Sequence, residues 1–270
     1  MKKIVLITGA TTGIGKETAI HLAKGGYIVY GAGRRENKLK ELEASGITTI
    51  KMDVTDDASM VQGIQQIINN EGRIDVLINN AGFGSYGAVE DVSMADARYQ
   101  LDVNVFGAAR LMQLALPYMR QQRSGKIVNI SSIGGKLATP FGGWYHASKF
   151  ALEGLSDSLR NEVRQFGIDV ILIEPGGVKS EWAEIANENL IKNSSGTAYS
   201  EMAEKFIKGL RKTIDKNAKA IVIARLIEKA ITDDKPKARY SAGYMARPAL
   251  IAKKLLSDRM FDKMMMSMVK

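Results

Sequence analysis

Short, nearly continuous apolar runs recur along the chain, and stretches with helical periodicity separate them. Such runs are typical of strands that are buried on both faces of a parallel sheet. Because strands and helices alternate, the pattern predicts a three-layer, doubly wound α/β fold with helices on both faces of the sheet. The predicted strands lie at about 3–8, 27–31, 48–55, 75–79, 126–132 and 168–173, with a seventh near 239–241.

The helical stretches predict one large domain over residues 1–245. Residues 181–213 form a lid-like insertion in it, broken at 193–196, and residues 246–270 form an amphipathic helical extension. The other predicted helices lie at about 14–24, 56–70, 94–120, 143–166 and 217–232, with one more beginning near Glu36. In the insertion, Trp182, Ile185 and Leu190 either line an apolar site or pack the lid on the body of the domain.

A glycine-rich loop follows the first predicted strand and opens into a helix. Residues 9–15 read Gly-Ala-Thr-Thr-Gly-Ile-Gly. Glycines allow a tight turn and the close approach of a pyrophosphate, and the helix N-terminus offers free N–H groups. Strand, loop and helix in this order indicate a Rossmann-type dinucleotide site, although the glycine spacing differs from the common Gly-x-Gly-x-x-Gly.

The ends of the next strands indicate which dinucleotide binds. A fold that prefers NAD places an acidic residue at the end of the second strand, where this chain has Gly33-Arg34-Arg35. Two guanidinium groups suit a 2′-phosphate, so the sequence predicts NADP(H). Asp53, after the third strand, either accepts a hydrogen bond from adenine or serves as an N-cap or turn residue. The small residues of Asn80-Ala81-Gly82 would let a cofactor lie against the backbone.

Tyr145 and Lys149 are the candidate chemical pair. Four residues apart at the start of a predicted helix, they share one face. A free tyrosine has a pKa of about 10, and a neighbouring ammonium favours the phenolate and lowers that pKa. The pair is therefore a candidate general acid/base. Ser132 ends a strand and needs tertiary structure to reach Tyr145, and Asn104 in its apolar setting reads as a buried, hydrogen-bonded amide.

Composition narrows the class of protein. The chain has no cysteine, which excludes disulfides and thiol chemistry and fits a reducing cytoplasm. With two histidines, His21 and His146, we expect no metal site. The apolar run at the N-terminus is too short for a signal peptide, and no run approaches the length of a membrane span.

The net charge of +9 belongs to the C-terminal quarter. Residues 205–270 hold 17 basic and 6 acidic side chains, whereas residues 1–204 hold 21 and 23. This basic region is either a solvated surface or attracts an anionic partner such as a phosphorylated substrate, a carrier or a membrane. The methionine-rich segment 246–269 is predicted to pack on its own or a neighbouring subunit, with an entrance cap or membrane-surface contact as alternatives. A nucleic-acid partner would rest on charge alone and is not expected.

The motifs resemble the short-chain dehydrogenase/reductase family over about residues 1–185. Arg34 and the long tail resemble its NADP-preferring members, in the branch of hydroxysteroid and retinol dehydrogenases. The matching elements are Thr8–Gly15, Asn79–Gly82, Asn104, Ser132 thirteen residues before Tyr145, Tyr145-x-x-x-Lys149, and Pro175-Gly176.

The resemblance implies a role for each matching residue. Tyr145 would exchange a proton, Ser132 would hold the substrate oxygen, and Asn104 would hold a water that links Lys149 to solvent. Lys149 would lower the pKa of Tyr145 and bind the nicotinamide ribose. The implied cofactor contacts are Gly9, Gly13, Ile14 and Gly15 at the pyrophosphate; Thr11, Arg34 and Arg35 at the 2′-phosphate; Asp53 and Val54 at adenine; Asn80, Ala81 and Gly82 at the adenosine; and Val178 and Ser180 at the carboxamide, with Tyr145, Lys149, Pro175 and Gly176.

The resemblance also implies a reaction. A carbonyl compound, NADPH and a proton would interconvert with an alcohol and NADP⁺, with the hydride carried by the nicotinamide. We expect an apolar ketone, aldehyde or secondary alcohol as the substrate. The alternatives are a 3-oxoacyl-carrier or CoA reductase and a non-catalytic protein that senses NADP(H). The family usually forms homo-oligomers, through helices that correspond here to 94–120 and 143–166.

Overall fold

All seven predicted strands form one sheet in the computed structural model, which describes residues 2–267. The order is β3-β2-β1-β4-β5-β6-β7, and every neighbouring pair is parallel, which confirms the doubly wound fold. The strands are β1 (Ile4–Thr8), β2 (Ile28–Gly33), β3 (Thr48–Lys51), β4 (Val76–Asn79), β5 (Gly125–Ile130), β6 (Ile168–Pro175) and β7 (Arg239–Ala242).

Helices follow the strands and cover both faces of the sheet. No helix among the described residues is long and apolar enough to cross a membrane. The helices are α1 (Gly13–Lys24), α2 (Glu36–Glu43), α3 (Asp57–Glu71), α4 (Met94–Leu101), α5 (Gly107–Gln122), α6 (Gly143–Val163), α7 (Glu181–Ser194), α8 (Ser200–Arg211), α9 (Ala220–Thr232), α10 (Ala246–Leu255) and α11 (Asp258–Met266).

The period of two along each strand divides the core. In β1, Ile4 and Leu6 face the cluster formed with α3 and α5, whereas Val5 and Ile7 face the cluster formed with α1 and α9. Side chains of this size contribute about 1.5–3 kcal/mol each when fully buried. Because both faces of the sheet are buried, the strands are apolar throughout. Because all strands are parallel, their C-terminal ends lie at one edge of the sheet.

Two predicted helices differ from the structure. The segment predicted as one helix over 94–120 consists of α4 and α5, joined by a π-helical turn at Asp102–Phe106. The C-terminal segment forms α10 and α11 rather than one helix, because the chain is extended at Leu256 and Ser257. Met1 and residues 268–270 lie outside the described residues.

The segment predicted as a lid packs on the body of the domain through a small hydrophobic core. The predicted interruption is confirmed, since α7 ends at Ser194 and α8 begins at Ser200. Leu190 of α7 and Phe206 of α8 are fully buried, and they pack with Phe141 and Ala88 from the body of the domain. The lid is therefore a helical pair laid over the C-terminal edge of the sheet.

Candidate active site

The glycine loop lies where the sheet order changes direction, between β1 and β4. Ligands of doubly wound folds bind at this switch point. The Thr8 hydroxyl accepts hydrogen bonds from the backbone N–H groups of Asn80 and Ala81, both at 3.0 Å. The Asn80 side chain donates to the carbonyls of Thr8 at 2.9 Å and Gly9 at 3.1 Å. These bonds fix the loop against the end of β4.

The glycines of the loop are required by close contacts. Gly9 and Gly13 have φ values of 62° and 53°, a region that suits glycine. A Cβ on Gly15 would lie 2.3 Å from the carbonyl oxygen of Gly9, so no side chain fits there. Ile14 lies between these glycines, half-buried at the start of α1.

Two helix N-termini meet at this loop. A Cβ on Gly13, the first residue of α1, would lie 3.2 Å from Cβ of Ser180, which precedes α7. Neither Thr12 nor Ser180, the N-cap residues, makes a side-chain capping bond. Apart from the Ala183 N–H, which donates to the Ser180 carbonyl at 3.3 Å, the first turns can offer N–H groups to a ligand, and both helix dipoles favour an anionic or electron-rich group.

The predicted 2′-phosphate residues lie together at the ends of β2 and β3. Arg34 donates to the Tyr99 hydroxyl at 2.7 Å and lies 3.8 Å from the Asp53 carboxylate. Arg35 reaches Thr11 Oγ1 at 3.5 Å and pairs with Glu181 of the lid at 3.3 Å. Both guanidinium groups are largely exposed and open to a phosphate.

Asp53 is a turn residue in this structure, and Asp56 is the N-cap of α3. Asp53 Oδ1 accepts hydrogen bonds from the backbone and hydroxyl of Thr55, at 3.0 and 2.8 Å. Asp56 accepts from two N–H groups of the first turn of α3, so the N-cap alternative for Asp53 is wrong. The second oxygen of Asp53 faces Arg34, and Val54 follows with its side chain buried.

Tyr145, Lys149 and Ser132 converge at the ends of β5 and β6. Tyr145 and Lys149 stand one turn apart on α6, with the ammonium 5.9 Å from the centre of the phenol ring. Lys149 Nζ donates to the carbonyl of Ile130 at 2.9 Å. The Ser132 hydroxyl contacts the Tyr145 phenol and accepts the Gly134 N–H at 3.0 Å. The three residues that the sequence motif separates along the chain therefore lie close together in the folded protein.

Burial is the main cause of the pKa shifts of Tyr145 and Lys149. It raises the pKa of Tyr145 to about 12, against a smaller lowering by the hydrogen bond with Ser132. Burial also lowers the pKa of Lys149 to about 8, and the negative charge of Glu153 partly opposes this shift. The loss of water around the phenol dominates the pKa of Tyr145 in this structure, and the lowering of that pKa by Lys149 stays a prediction.

The π-helical turn positions Asn104. The wider turn lets the buried Asn104 side chain bond both backbone groups of Phe83, accepting from the N–H at 3.1 Å and donating to the carbonyl at 2.9 Å. It also donates to Ser148 Oγ at 2.9 Å. A Cβ on Gly82 would lie 3.1 Å from Asn104 Oδ1 and 3.6 Å from Lys149 Nζ, so both polar groups lie beside Gly82. Turns of this kind occur often at functional sites.

The loop after β6 forms the wall opposite α6. Pro175 ends β6, and its carbonyl accepts from the Ser132 hydroxyl at 3.5 Å. Gly176 lies so close to Tyr244 that a Cβ would be 2.2 Å from the Tyr244 carbonyl oxygen. Val178 is buried and bridges to residue 218, which directs Ser180 toward the glycine loop.

Aromatic side chains close the site. Tyr86 lies with its ring centre 5.8 Å from Tyr145, and Trp182 of the lid lies 5.1 Å from Tyr145. Of the other two lid residues that the sequence offers for an apolar site, Leu190 is buried in the lid core and Ile185 is exposed. The sequence motifs do not include Tyr86. The signal for it is an aromatic residue between Gly84 and Gly87, just after the Asn-Ala-Gly motif.

His146 is a structural residue beside Tyr145. Its Nε2 accepts from the Thr139 N–H at 3.0 Å, and its Nδ1 bonds the Gly134 carbonyl at 2.9 Å. Burial lowers the pKa of this imidazole, so it stays neutral and holds the loop that carries Ser132. A glycine loop at the switch point and a tyrosine–lysine pair beneath an aromatic lid define an enzyme of the dinucleotide-binding oxidoreductase class.

Comparison with known proteins specifies the class. The family model for short chain dehydrogenase matches residues 3–191, and the chain belongs to that family. A 3-ketodihydrosphingosine reductase from Bacteroides thetaiotaomicron is 40% identical over 209 residues, which cover 77% of this chain and 75% of that protein. Retinol dehydrogenase 8 of Homo sapiens is 41% identical over 190 residues, 67% of this chain and 60% of that protein.

A solved structure shows the same architecture. ElxO with NADP bound superimposes with a TM-score of 0.73 at 29% identity, covering 89% of this chain and 97% of that chain. The family relation and the fold together confirm the resemblance drawn from the motifs.

Proposed function

We propose that this chain is an NADP(H)-dependent oxidoreductase that interconverts a carbonyl group and an alcohol on an apolar substrate. The observation that carries the proposal is the convergence of Ser132, Tyr145 and Lys149 next to the glycine loop. NADPH supplies the hydride when it is bound. Tyr145 gives its hydroxyl proton to the carbonyl oxygen as the alcohol forms, and Ser132 holds that oxygen by a hydrogen bond.

The residues present fit NADP(H). The two uncapped helix N-termini suit the pyrophosphate and the carboxamide, and the glycines keep side chains out of the loop. Arg34 and Arg35 bind the 2′-phosphate, with Thr11 beside them. Asp53 and Val54 contact adenine, and residues 80–82 contact the adenosine. ElxO, a relative of known structure, has NADP bound.

Lys149 and Asn104 support the reaction without taking part in bond changes. Lys149 binds the nicotinamide ribose through its ammonium group. Asn104 holds a water molecule through which solvent returns a proton to Tyr145 after each reduction. The position of both polar groups beside Gly82 supports both roles. Pro175 and Gly176 form the wall beside the nicotinamide, with Val178 and Ser180 at its carboxamide.

The aromatic lid supports an apolar substrate. Tyr86 and Trp182 place ring faces and edges around the phenol of Tyr145, where a hydrocarbon chain would pack without loss of hydrogen bonds. The names of two relatives, a 3-ketodihydrosphingosine reductase and a retinol dehydrogenase, describe a ketone and an alcohol on apolar molecules. The substrate class proposed here is a long-chain or cyclic apolar ketone, aldehyde or alcohol.

The alternative substrate is a 3-oxoacyl group on a carrier. The concentration of positive charge in residues 205–270 is the observation that favours it, since acyl carriers are acidic.

We propose that residues 1–245 form the catalytic domain and that residues 246–270 have an accessory role. We also propose a homo-oligomer, because α4–α6 and the turn between them expose Tyr99, Phe106, Phe150 and Leu155. The lack of cysteine supports a reducing compartment such as the cytoplasm.

The test is consumption of NADPH, and separately of NADH, with a panel of long-chain ketones, aldehydes, a steroid and a 3-oxoacyl thioester. Tyr145→Phe should lower turnover by about 10²-fold or more while keeping NADPH binding in calorimetry. Tyr118→Phe removes a phenol hydroxyl far from the site and is the matched control. Full activity of Tyr145→Phe would contradict the mechanism. NADPH binding without turnover of any panel member would favour the sensing protein.

Arg34→Asp tests the cofactor. Loss of a charged hydrogen bond and a new repulsion with the 2′-phosphate should weaken NADPH binding by about 100-fold and leave NADH binding nearly unchanged. An unchanged affinity ratio would refute the assignment of Arg34.

A further inference from the structure

The C-terminal helices have an inner face that packs on the catalytic domain. Ala249 and Phe261 are buried against Leu137, and Ile133, next to Ser132, joins the same cluster. The helices are therefore a fixed part of the fold and stand directly behind the segment that carries Ser132.

The opposite face combines large apolar and basic side chains. On α10, Ile251 is 57% exposed and Leu255 is 76% exposed, and on α11 Met260 is 56% exposed. Lys254 and Arg259 are exposed between them. We call the residues Ile251, Lys254, Leu255, Arg259, Met260 and Lys263 the outer face.

Charge argues for the kind of partner. Residues 246–270 hold six basic and two acidic side chains, and one acid, Asp258, is already paired with Lys253 at 2.7 Å. A second copy of this chain docked by the same face would bring basic groups against basic groups. An anionic lipid surface instead accepts the ammonium and guanidinium groups at its headgroups and the apolar side chains below them.

We propose that the outer face binds the surface of an anionic phospholipid bilayer. Helices α10 and α11 would lie along the interface, with Ile251, Leu255 and Met260 inserted among the acyl chains. The inner face then holds the Ser132 segment close to the membrane, so that an apolar substrate could pass from the bilayer to the site. The binding itself goes beyond the reaction proposed above, since it needs neither cofactor nor substrate.

The test is co-sedimentation of the full chain with vesicles of phosphatidylcholine, with and without about one third phosphatidylglycerol. The protein should pellet with the anionic vesicles, and added salt should release it, because exposed charges are screened. Two double variants separate the apolar from the electrostatic contribution to binding. Ile251→Ser with Leu255→Ser removes apolar side chains, and Lys254→Glu with Arg259→Glu reverses basic charges. Each should lower the partition coefficient by about tenfold or more.

Matched controls are Val61→Ser and Lys40→Glu, at exposed positions on α3 and α2. The controls should pellet like the unchanged protein, and all variants should melt at the same temperature because the substituted side chains are exposed. Failure of the unchanged protein to pellet, or equal pelleting of every variant, would overturn the proposal. A smaller oligomer for Ile251→Ser with Leu255→Ser, without vesicle binding by the unchanged protein, would assign the outer face to a second copy.

Discussion

At the scale of single residues, the contact between Thr11 and Gly33 bears on the choice of cofactor. A Cβ on Gly33 would lie 2.6 Å from Cγ2 of Thr11, so a side chain at this position, where NAD-binding folds carry an acid, would have to displace Thr11. We therefore expect the preference for a 2′-phosphate to depend on this packing as well as on the two arginines.

A substitution at Gly33 should show this dependence. Gly33→Asp alone should weaken both NADPH and NADH binding, because the new side chain displaces Thr11. Gly33→Asp with Thr11→Gly should restore NADH binding while NADPH binding stays weak. Calorimetry with each cofactor measures both affinities, and Thr11→Gly alone is the control. Tight NADH binding by the single Gly33 variant would contradict the packing argument.

The pKa of Tyr145 predicts a difference between the two directions of reaction. In the proposed reaction, alcohol oxidation needs the Tyr145 phenolate, and with a pKa of about 12 the ionised fraction rises with pH throughout the neutral range. Oxidation rates should therefore increase about tenfold per pH unit, whereas reduction uses the protonated form already present. Initial rates in both directions across pH test this. A plateau of oxidation near neutral pH would contradict it.

Glu174 is a buried carboxyl group outside the proposed reaction. Burial and the neighbouring charge of Glu153 raise its pKa to about 7, against the opposing effects of Lys136 and Arg239. Arg239 also binds Glu153 and, at 2.6 Å, Asp157. The folded protein thus holds a proton on Glu174 that the unfolded chain loses near the ordinary glutamate pKa of 4.5.

The sign of the resulting pH effect follows from linkage. The contribution of the protonated Glu174 to the free energy of unfolding is fully present below about pH 4.5 and is lost as the pH rises to about 7. Glu174→Gln should remove this loss, which we expect to be roughly 1–3 kcal/mol, and should make the protein more stable than the unchanged chain above pH 7. Urea unfolding across pH measures it. Equal pH dependence of both proteins would contradict the assignment.

At the scale of elements, α3 depends on Asp56. Its carboxylate accepts from the N–H groups of Ala58 at 3.0 Å and Ser59 at 3.4 Å. Asp56→Ala should lower the free energy of unfolding by about 1 kcal/mol, and Asp56→Asn, which keeps the acceptor, should lower it far less. Chemical unfolding of both variants gives the comparison. Equal losses would show that charge rather than capping matters.

The sequence predicted the existence and order of the elements because apolar periodicity reports burial directly. Strand ends were less accurate: β3 ends at Lys51 rather than near residue 55, since Asp53 turns the chain before α3. The π-helical turn at Asp102–Phe106 was missed. The turn accompanies the tertiary hydrogen bonding of Asn104 to Phe83, which no local pattern reveals.

The candidate site could be predicted from the sequence only for residues that belong to local motifs. Glycine spacing and the Tyr145–Lys149 interval depend on local geometry, so the sequence could indicate them. The protonation of Tyr145 could not be predicted, because it depends on burial by Tyr86 and Trp182 from distant segments. The interruption between α10 and α11 was also missed, since both helices continue one amphipathic pattern.

At the scale of the whole molecule, the predicted lid is attached to the domain by a few polar contacts and a small hydrophobic core that it shares with the domain. Asn193 donates to the Tyr86 carbonyl at 2.8 Å and Asn189 to the Gly84 carbonyl at 3.2 Å, while Phe206 belongs to the shared core. Local opening needs less free energy where buried apolar contacts are few.

Hydrogen exchange should therefore be faster in α7 and α8 than in α9, a helix of similar length that packs on the sheet. Mass spectrometry of exchanged peptides measures the difference. Asn193→Ala should increase exchange in α7 and leave α9 unchanged. Equal protection of the lid and α9 would contradict an independently opening lid.

The aromatic closure of the site has a spectroscopic consequence. The chain has two tryptophans: Trp182 packs on the Tyr145 ring, and Trp144 precedes Tyr145 on α6. The emission of Trp182 therefore originates at the candidate site, and Trp144 contributes the one other indole signal of the chain. Intrinsic fluorescence can therefore follow cofactor binding and lid movement in the unlabelled protein, and Trp182→Phe would separate the contributions of lid and helix.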